Sequence, residues 1–238
     1  MNLSMPFRPV NERLRLASIE ITQRCNNHCF YCEQAKAERD MPVERFAALL
    51  DELAARGIQA VALGGGEPTL HPELVALLEI AHRRGVQVGL TTNARNPGQV
   101  LALLEDGLLD SLGVSAGKGD WLALAAHPHA TVNLLLLRGG QAELVRQAVE
   151  AIRQGVHCLL LLGYKGHRPE LGPSTHELSD AFSLLTVLGR QTRVVVAADD
   201  YTRRRLGLAH SCGEGFVRVS LDGNSDRCCF PHCEYRGE

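Results

Sequence analysis

The chain has 238 residues, 45% hydrophobic and 22% charged, enough to bury the core of one domain and too apolar for a disordered chain. Its formal charge is -2 at pH 7 with no long basic block, so composition gives no reason to expect a nucleic-acid partner held by phosphate neutralisation. Residues 1–9 lack the apolar core of a signal peptide, and apolar runs such as the one starting at Cys158 are too short to span a bilayer, which reads as a cytoplasmic protein with no membrane partner.

From about residue 17 short apolar runs alternate with amphipathic stretches, the pattern of parallel strands joined by covering helices. Strands are expected at 17–22, 60–65, 86–92, 111–116, 131–137, 157–163 and 193–198. The first helix follows from Phe46, Leu49, Leu50 and Leu53 on one face, with Pro42 in its first turn and Gly57 at its end. The second runs from Pro72 through Leu74, Leu77, Leu78 and Ala81 to Gly85, which suits a left-handed cap. Short third and fourth helices fall near 98–106 and 119–126, and a fifth ends at Gly155. The sixth opens with Ser174 and Glu177 at capping-box spacing and carries Leu178, Phe182, Leu185 and Leu188 on one face. Six strand-helix pairs and a seventh strand imply an α/β fold, a partial (βα)6 TIM-type barrel, with its chemistry at the C-terminal strand ends. After about residue 200 the alternation gives way to a cysteine-rich tail, so domains are expected at 1–200 and 201–238.

The chain holds eight cysteines, and in a reducing compartment clustered cysteines more often bind metal or do catalysis than form disulfides. Cys25, Cys29 and Cys32 follow the first strand, with three and then two residues between them. Three thiolates can hold three irons of a [4Fe-4S] cube and leave the fourth iron open to a chelating ligand. A zinc site with His28 as fourth ligand has compatible donors, and spacing alone does not separate the two.

The spacing, with aromatic Tyr31 before the last cysteine, resembles the signature of the radical S-adenosylmethionine (radical SAM) superfamily. Gly65, Gly66, Glu67 and Pro68, after the second strand, resemble that family's glycine-rich segment, whose backbone meets the amino group of the cofactor's methionine part. Thr92, Asn93 and Ser115, at the ends of the third and fourth strands, resemble positions that bind the cofactor's carboxylate or ribose, and are also ordinary capping or turn residues. Tyr31 joins this cofactor-binding set. The resemblance implies S-adenosylmethionine chelated to a [4Fe-4S] cluster, its reductive cleavage to a 5'-deoxyadenosyl radical, and hydrogen abstraction from a substrate. Substrate choice would then lie with polar residues at the later strand ends, among Lys118, Arg138, Tyr164, Lys165, Asp199 and Asp200. Tyr164 and Lys165, beside glycines at the rim, are the catalytic candidates.

In the tail, Val217 and Val219 alternate with polar residues and Asp222-Gly223 is a hairpin turn signal, so a hairpin brings Cys212 and Cys228 together. This resembles the opening of the auxiliary-cluster extension called SPASM, or its shortened form, twitch, and implies a second iron-sulfur cluster on Cys212, Cys228 and Cys233. Adjacent cysteines point apart on an extended chain, which makes Cys229 the odd one out, and Cys158, at the far end of the sixth strand, reads as core. A zinc knuckle and a metal-free hairpin are the alternatives for the tail.

The twitch-like tail points to a ribosomally made peptide as substrate, modified by a crosslink, thioether or epimerisation. With 24 residues before Cys25, a separate leader-binding domain is not expected there, so a leader-binding protein or the barrel would hold the leader. An electron donor such as flavodoxin or ferredoxin is implied. A small-molecule dehydrogenase or rearrangement enzyme, a glycyl-radical activase and a non-enzymatic metal-binding module remain alternative readings.

Overall fold

The structure is a computed structural model that describes residues 15–209, 213, 215–228 and 233–235. Strands and helices alternate as β1 Leu16–Thr22, α1 Val43–Ala55, β2 Ala60–Gly65, α2 Leu74–Arg83, β3 Gln87–Thr92, α3 Pro97–Glu105 and β4 Ser111–Ser115. They continue as α4 Leu122–Ala125, β5 Ala130–Leu136, α5 Gln141–Arg153, β6 Cys158–Gly163, α6 Thr175–Thr192, β7 Val195–Ala198 and α7 Asp200–Arg205. A hairpin follows, β8 Phe216–Val219 and β9 Ser225–Asp226. All belong to one sheet in the order β7-β6-β5-β4-β3-β2-β1-β8-β9. β1 to β8 pair in parallel, and β9 runs antiparallel to β8.

This is the α/β partial barrel that the alternation implies, with two additions. Asp199 caps a seventh helix, accepting from the Thr202 amide, and this helix is too short to show a hydrophobic period. The tail's hairpin joins the barrel sheet: β8 lies parallel to β1, from Leu16 opposite Phe216 to Ile19 opposite Val219. That is where an eighth barrel strand would lie, but β9 rather than β7 is its other neighbour, so the sheet stays open.

Parallel strands are buried on both faces, and the two faces differ here. Ile19, Ile21, Leu63, Leu90, Val114 and Leu134 lie in the core with α-helical residues such as Phe46, Leu77 and Leu144. Alternate positions carry Glu20, Gly64, Thr91, Gly113, Ser115 and Asn133, which line the inner face. Closed barrels fill that interior with branched side chains, whereas here β1 to β4 place small or polar residues on it and Leu135, Leu160 and Leu162 of β5 and β6 are its branched members. Because the strands are parallel, the loops after β1 to β7 all emerge at one end.

The capping box expected on α6 is present: Glu177 N–H donates to Ser174 Oγ at 3.2 Å, and Ser174 N–H to Glu177 Oε2 at 2.7 Å. The Gly139 amide also donates to Glu177, and these backbone donors hold its carboxyl down at about 2. A folded value below the ordinary ~4.3 means the contribution is complete above that pH and is lost as pH falls toward about 2. Glu177→Gln is therefore expected to lower the urea midpoint near pH 7 and to converge with the parent only as pH falls to about 2, and a constant difference across that range would contradict the assignment.

Candidate active site

The thiol loop is launched from a paired stem. Thr22 bridges to Asp40, Gln23 N–H donates to Arg39 O at 2.9 Å, and Met41 N–H to Ile21 O at 2.8 Å. Asp40 holds the stem, accepting from Thr22 Oγ1 at 2.6 Å and Arg24 Nε at 2.8 Å. Burial alone would raise the Asp40 carboxyl, but these two donors hold it below its ordinary value. Beyond the stem, Cys25 and Cys29 are half-buried and Cys32 is exposed, with Cys32 N–H donating to Cys29 O at 3.0 Å. None of the described cysteines is in a disulfide.

The glycine segment packs directly on this stem. Gly66 N–H donates to Thr22 O and Glu67 N–H to Arg24 O, both at 2.7 Å. A Cβ on Gly66 would stand 2.0 Å from Arg24 O, and one on Gly65, whose φ is +115°, 2.2 Å from Thr22 O. These glycines thus allow approach to the protein's own backbone. Glu67, only 2% exposed, gathers four donors: Thr69 N–H and Oγ1, Thr92 Oγ1 at 2.8 Å and Asn93 N–H at 2.7 Å. Pro68 begins a 3₁₀ turn behind it.

Thr92 and Asn93 are therefore engaged by protein. Thr92 Oγ1 also accepts from the Ala94 amide, and Asn93 Nδ2 donates to Asn26 Oδ1 at 2.8 Å. Arg95 Nε donates to Asn27 Oδ1 at 2.6 Å, and Lys36 Nζ to Asn27 O. The β3 end thus grips the two asparagines between Cys25 and Cys29, contacts that no sequence signal announces.

Ser115 and Asn133 are opposite each other on β4 and β5. Asn133 Nδ2 lies 3.1 Å and Thr91 Oγ1 2.7 Å from where a Cβ on Gly113 would be, so the three share the inner face. Asn133 Oδ1 is buried with no hydrogen-bond partner, and a Cβ on Gly64 would meet nothing within 4 Å. A buried acceptor without a donor beside an open inner face fits a polar ligand.

Other rim groups crowd the thiols. Lys118 Nζ lies 5.3 Å from the Tyr31 ring centroid. Burial would lower the Lys118 ammonium, but Tyr31 and then the Cys29 and Cys32 thiols raise it, keeping it charged. Burial likewise raises the Tyr31 phenol, against the pull of Lys118. Tyr164 is buried and donates to Glu33 Oε1 at 2.8 Å, while Lys165 Nζ donates to Asp199 Oδ2 at 2.6 Å. In the tail, Arg218 reaches Gln34 Oε1 at 3.1 Å and Glu20 Oε2 at 3.9 Å, and the Leu221 amide donates to Glu20 Oε2. Cys233 is buried, which pushes its thiol up, and Cys228 and Lys165 are its charged or titratable neighbours. Cys212 and Cys229 lie outside the described residues. Cys158 is buried at the opposite end of the barrel.

Among the described residues, no three His, Cys, Asp or Glu side chains are already gathered around one point, so a cluster would draw the three loop thiols together. Their softness, their common loop and the charged Lys118 beside them fit an iron-sulfur cluster. The radical SAM superfamily profile matches residues 19–170. PqqA peptide cyclase of Ruegeria pomeroyi is 36% identical over 260 aligned positions, covering 91% of this chain and 69% of that protein. A probable GTP 3',8-cyclase of Pyrococcus abyssi is 32% identical over 100 residues, 41% of this chain and 33% of that protein. Streptococcus suis SuiB bound to S-adenosylmethionine superposes with a TM-score of 0.76 at 14% identity, over 92% of this chain and 61% of that one. SuiB bound to precursor peptide SuiA gives 0.74 at 15% identity, over 91% and 60%. The chain belongs to the radical SAM superfamily, a class of S-adenosylmethionine-dependent enzymes whose members carry a [4Fe-4S] cluster. It spans about three fifths of the SuiB chains and a third of the Pyrococcus protein. Among the described residues no helix is long and apolar enough to cross a membrane.

Two neighbouring glycines separate scaffold from pocket. Gly66→Ala drives a Cβ into backbone and is expected to cost about 2–3 kcal/mol of stability. Gly64→Ala faces open space, so its stability should stay within about 0.5 kcal/mol of the parent while S-adenosylmethionine affinity falls. Denaturant melts with equilibrium cofactor binding check both, and equal stability losses would refute the distinction.

Proposed function

We propose that the chain cleaves S-adenosylmethionine reductively and uses the resulting radical to modify a ribosomally made peptide by a crosslink, thioether or epimerisation. The observation that carries the peptide is the 36% identity to PqqA peptide cyclase across 91% of this chain. SuiB, similar in fold alone, was solved with a precursor peptide. Cys25, Cys29 and Cys32 would hold the cluster, with S-adenosylmethionine on the inner face beside Gly64, Ser115 and Asn133. When bound, cluster and cofactor supply one electron and a hydrogen-abstracting radical. The chain's own part is to orient the cofactor, exclude water and select the substrate hydrogen.

Tyr164 and Lys165 lie at the mouth on the substrate side in this reading. A substrate carboxylate that engages Lys165 must displace Asp199, which makes the pair a selective contact rather than an open charge. The tail from about residue 201 is a functional unit of its own, an auxiliary-cluster segment with Cys212, Cys228 and Cys233 as ligands, although β8 lies in the barrel sheet. The proximity of Cys228 to Cys233 supports their acting as a ligand pair. A cytoplasmic flavodoxin or ferredoxin would supply the electron, and a leader-binding protein or the barrel would hold the peptide.

Anaerobic reconstitution with iron, sulfide and a chemical reductant is expected to give 5'-deoxyadenosine from S-adenosylmethionine, and Cys29→Ala to abolish it. Coexpression with a short peptide encoded beside the gene should shift that peptide's mass, whereas turnover of a purified metabolite without peptide would overturn the peptide reading. Replacing Cys212 and Cys228 together should lower iron per chain by about half, and unchanged iron would sink the auxiliary cluster.

A further inference from the structure

Directly after the third thiol, Glu33 reaches across the barrel mouth. Its Oε1 accepts from Tyr164 Oη at 2.8 Å and from the His167 amide at 2.6 Å, and His167 Nδ1 lies 2.9 Å away. β1 and β6 are five places apart in the sheet, so this contact joins opposite sides of the opening rather than neighbouring loops. The loop is shaped to it. A Cβ on Gly166 would stand 1.9 Å from Glu33 Oε1 and 2.1 Å from Tyr164 Oη, so glycine is what lets the carboxylate sit between its donors. The Glu33 side chain is 13% exposed.

We propose that Glu33 is a positioning residue, a latch that holds residues 164–168 down over the cysteine loop while radical chemistry proceeds. It acts through Tyr164 and His167, and its consequence is exclusion of water from the space between thiols and substrate. The inference rests on the superfamily's cofactor chemistry and holds whether or not the substrate is a peptide.

One arm of the test uses the protein without cluster or cofactor. Trypsin cuts at Lys165, so cleavage between Lys165 and Gly166 reports whether the loop is held. Glu33→Ala should speed that cut roughly tenfold, while Glu33→Gln, which keeps an oxygen acceptor for the phenol and amide, should stay near the parent. In the reconstituted enzyme, Glu33→Ala should leave iron content unchanged and raise 5'-deoxyadenosine released per product roughly tenfold, with Glu33→Gln restoring most of the coupling. Adding Tyr164→Phe to Glu33→Ala should make coupling no worse, since both act at one contact. Gly166→Ala, which displaces the carboxylate, must expose the same peptide bond and serves where Glu33→Ala does not fold. Unchanged cleavage in these variants, or equal defects in the Ala and Gln variants, overturns the latch. A latch that passes the proteolysis arm while no 5'-deoxyadenosine forms places the failure in the proposed chemistry instead.

Discussion

The site depends on one backbone-to-backbone contact, the two 2.7 Å hydrogen bonds that Gly66 and Glu67 donate to Thr22 and Arg24. They fuse the β2 turn to the stem of the thiol loop, and no residue with a Cβ fits at position 66. The Glu67 carboxylate then carries the constraint to β3 through Thr92 and the Asn93 amide. A carboxylate this buried is tolerable because its oxygens have four donors, and removing it would orphan all of them. Asn93 in turn grips Asn26 and Arg95 grips Asn27, so the loop between the first two thiols is fixed from a third strand. Three consecutive strand ends thus behave as one body, and the thiols project from its edge.

Electrostatics follow from that placement. Three thiolates on one loop favour nearby positive charge. Arg24 is paired with Asp40 and Arg95 with Asn27, so both brace the loop rather than face the sulfurs. Lys118 is the cation whose charge the thiols and Tyr31 sustain against burial. It reaches them from the loop after β4, across from the stem. The surroundings of Lys118, a polar residue at a later strand end, are those of the thiol loop.

Strand positions were legible to within one or two residues because β1 to β4 alternate between an apolar helix-facing side and a small or polar inner side, while β6 and β7 read as short continuous apolar runs. The capping box and the left-handed Gly85 were legible because local chemistry decides them. What escaped was long-range pairing. Tyr164 meets Glu33 across 131 residues, Arg218 meets Gln34 across 184, and Asn93 meets Asn26 across 67, and one sequence carries no record of such partners. The same limit applies to Thr92 and Asn93. These residues lie at a strand end, and their side chains bond Glu67 and Asn26, partners distant in sequence. Asn133 shows the reverse: register was needed to see that its amide oxygen is buried on the inner face without a partner.

The tail is held at both edges of the open sheet, and unequally. On the β1 side it has a strand ladder, the Leu221 amide on Glu20, and the Arg218 contacts, all at least partly buried. On the α7 side it has Tyr235 tilted against Tyr201, Arg204 stacked 3.9 Å from the Tyr235 ring centroid, and a 3.9 Å Arg205–Glu234 approach. Contacts of the second kind contribute about 0.5–1 kcal/mol each at exposed sites, and a partly exposed ion pair no more than that. Breaking the first kind orphans a buried carboxylate and unpairs a strand. The α7 side also has the Gly213 amide on Asp200 Oδ2 at 3.3 Å, and the Glu33–Tyr164 contact spans the mouth as well. Cys233, with Lys165 and Cys228 beside it, lies on the α7 side, so the thiols of the first loop and this cysteine pair flank the lumen from different sides.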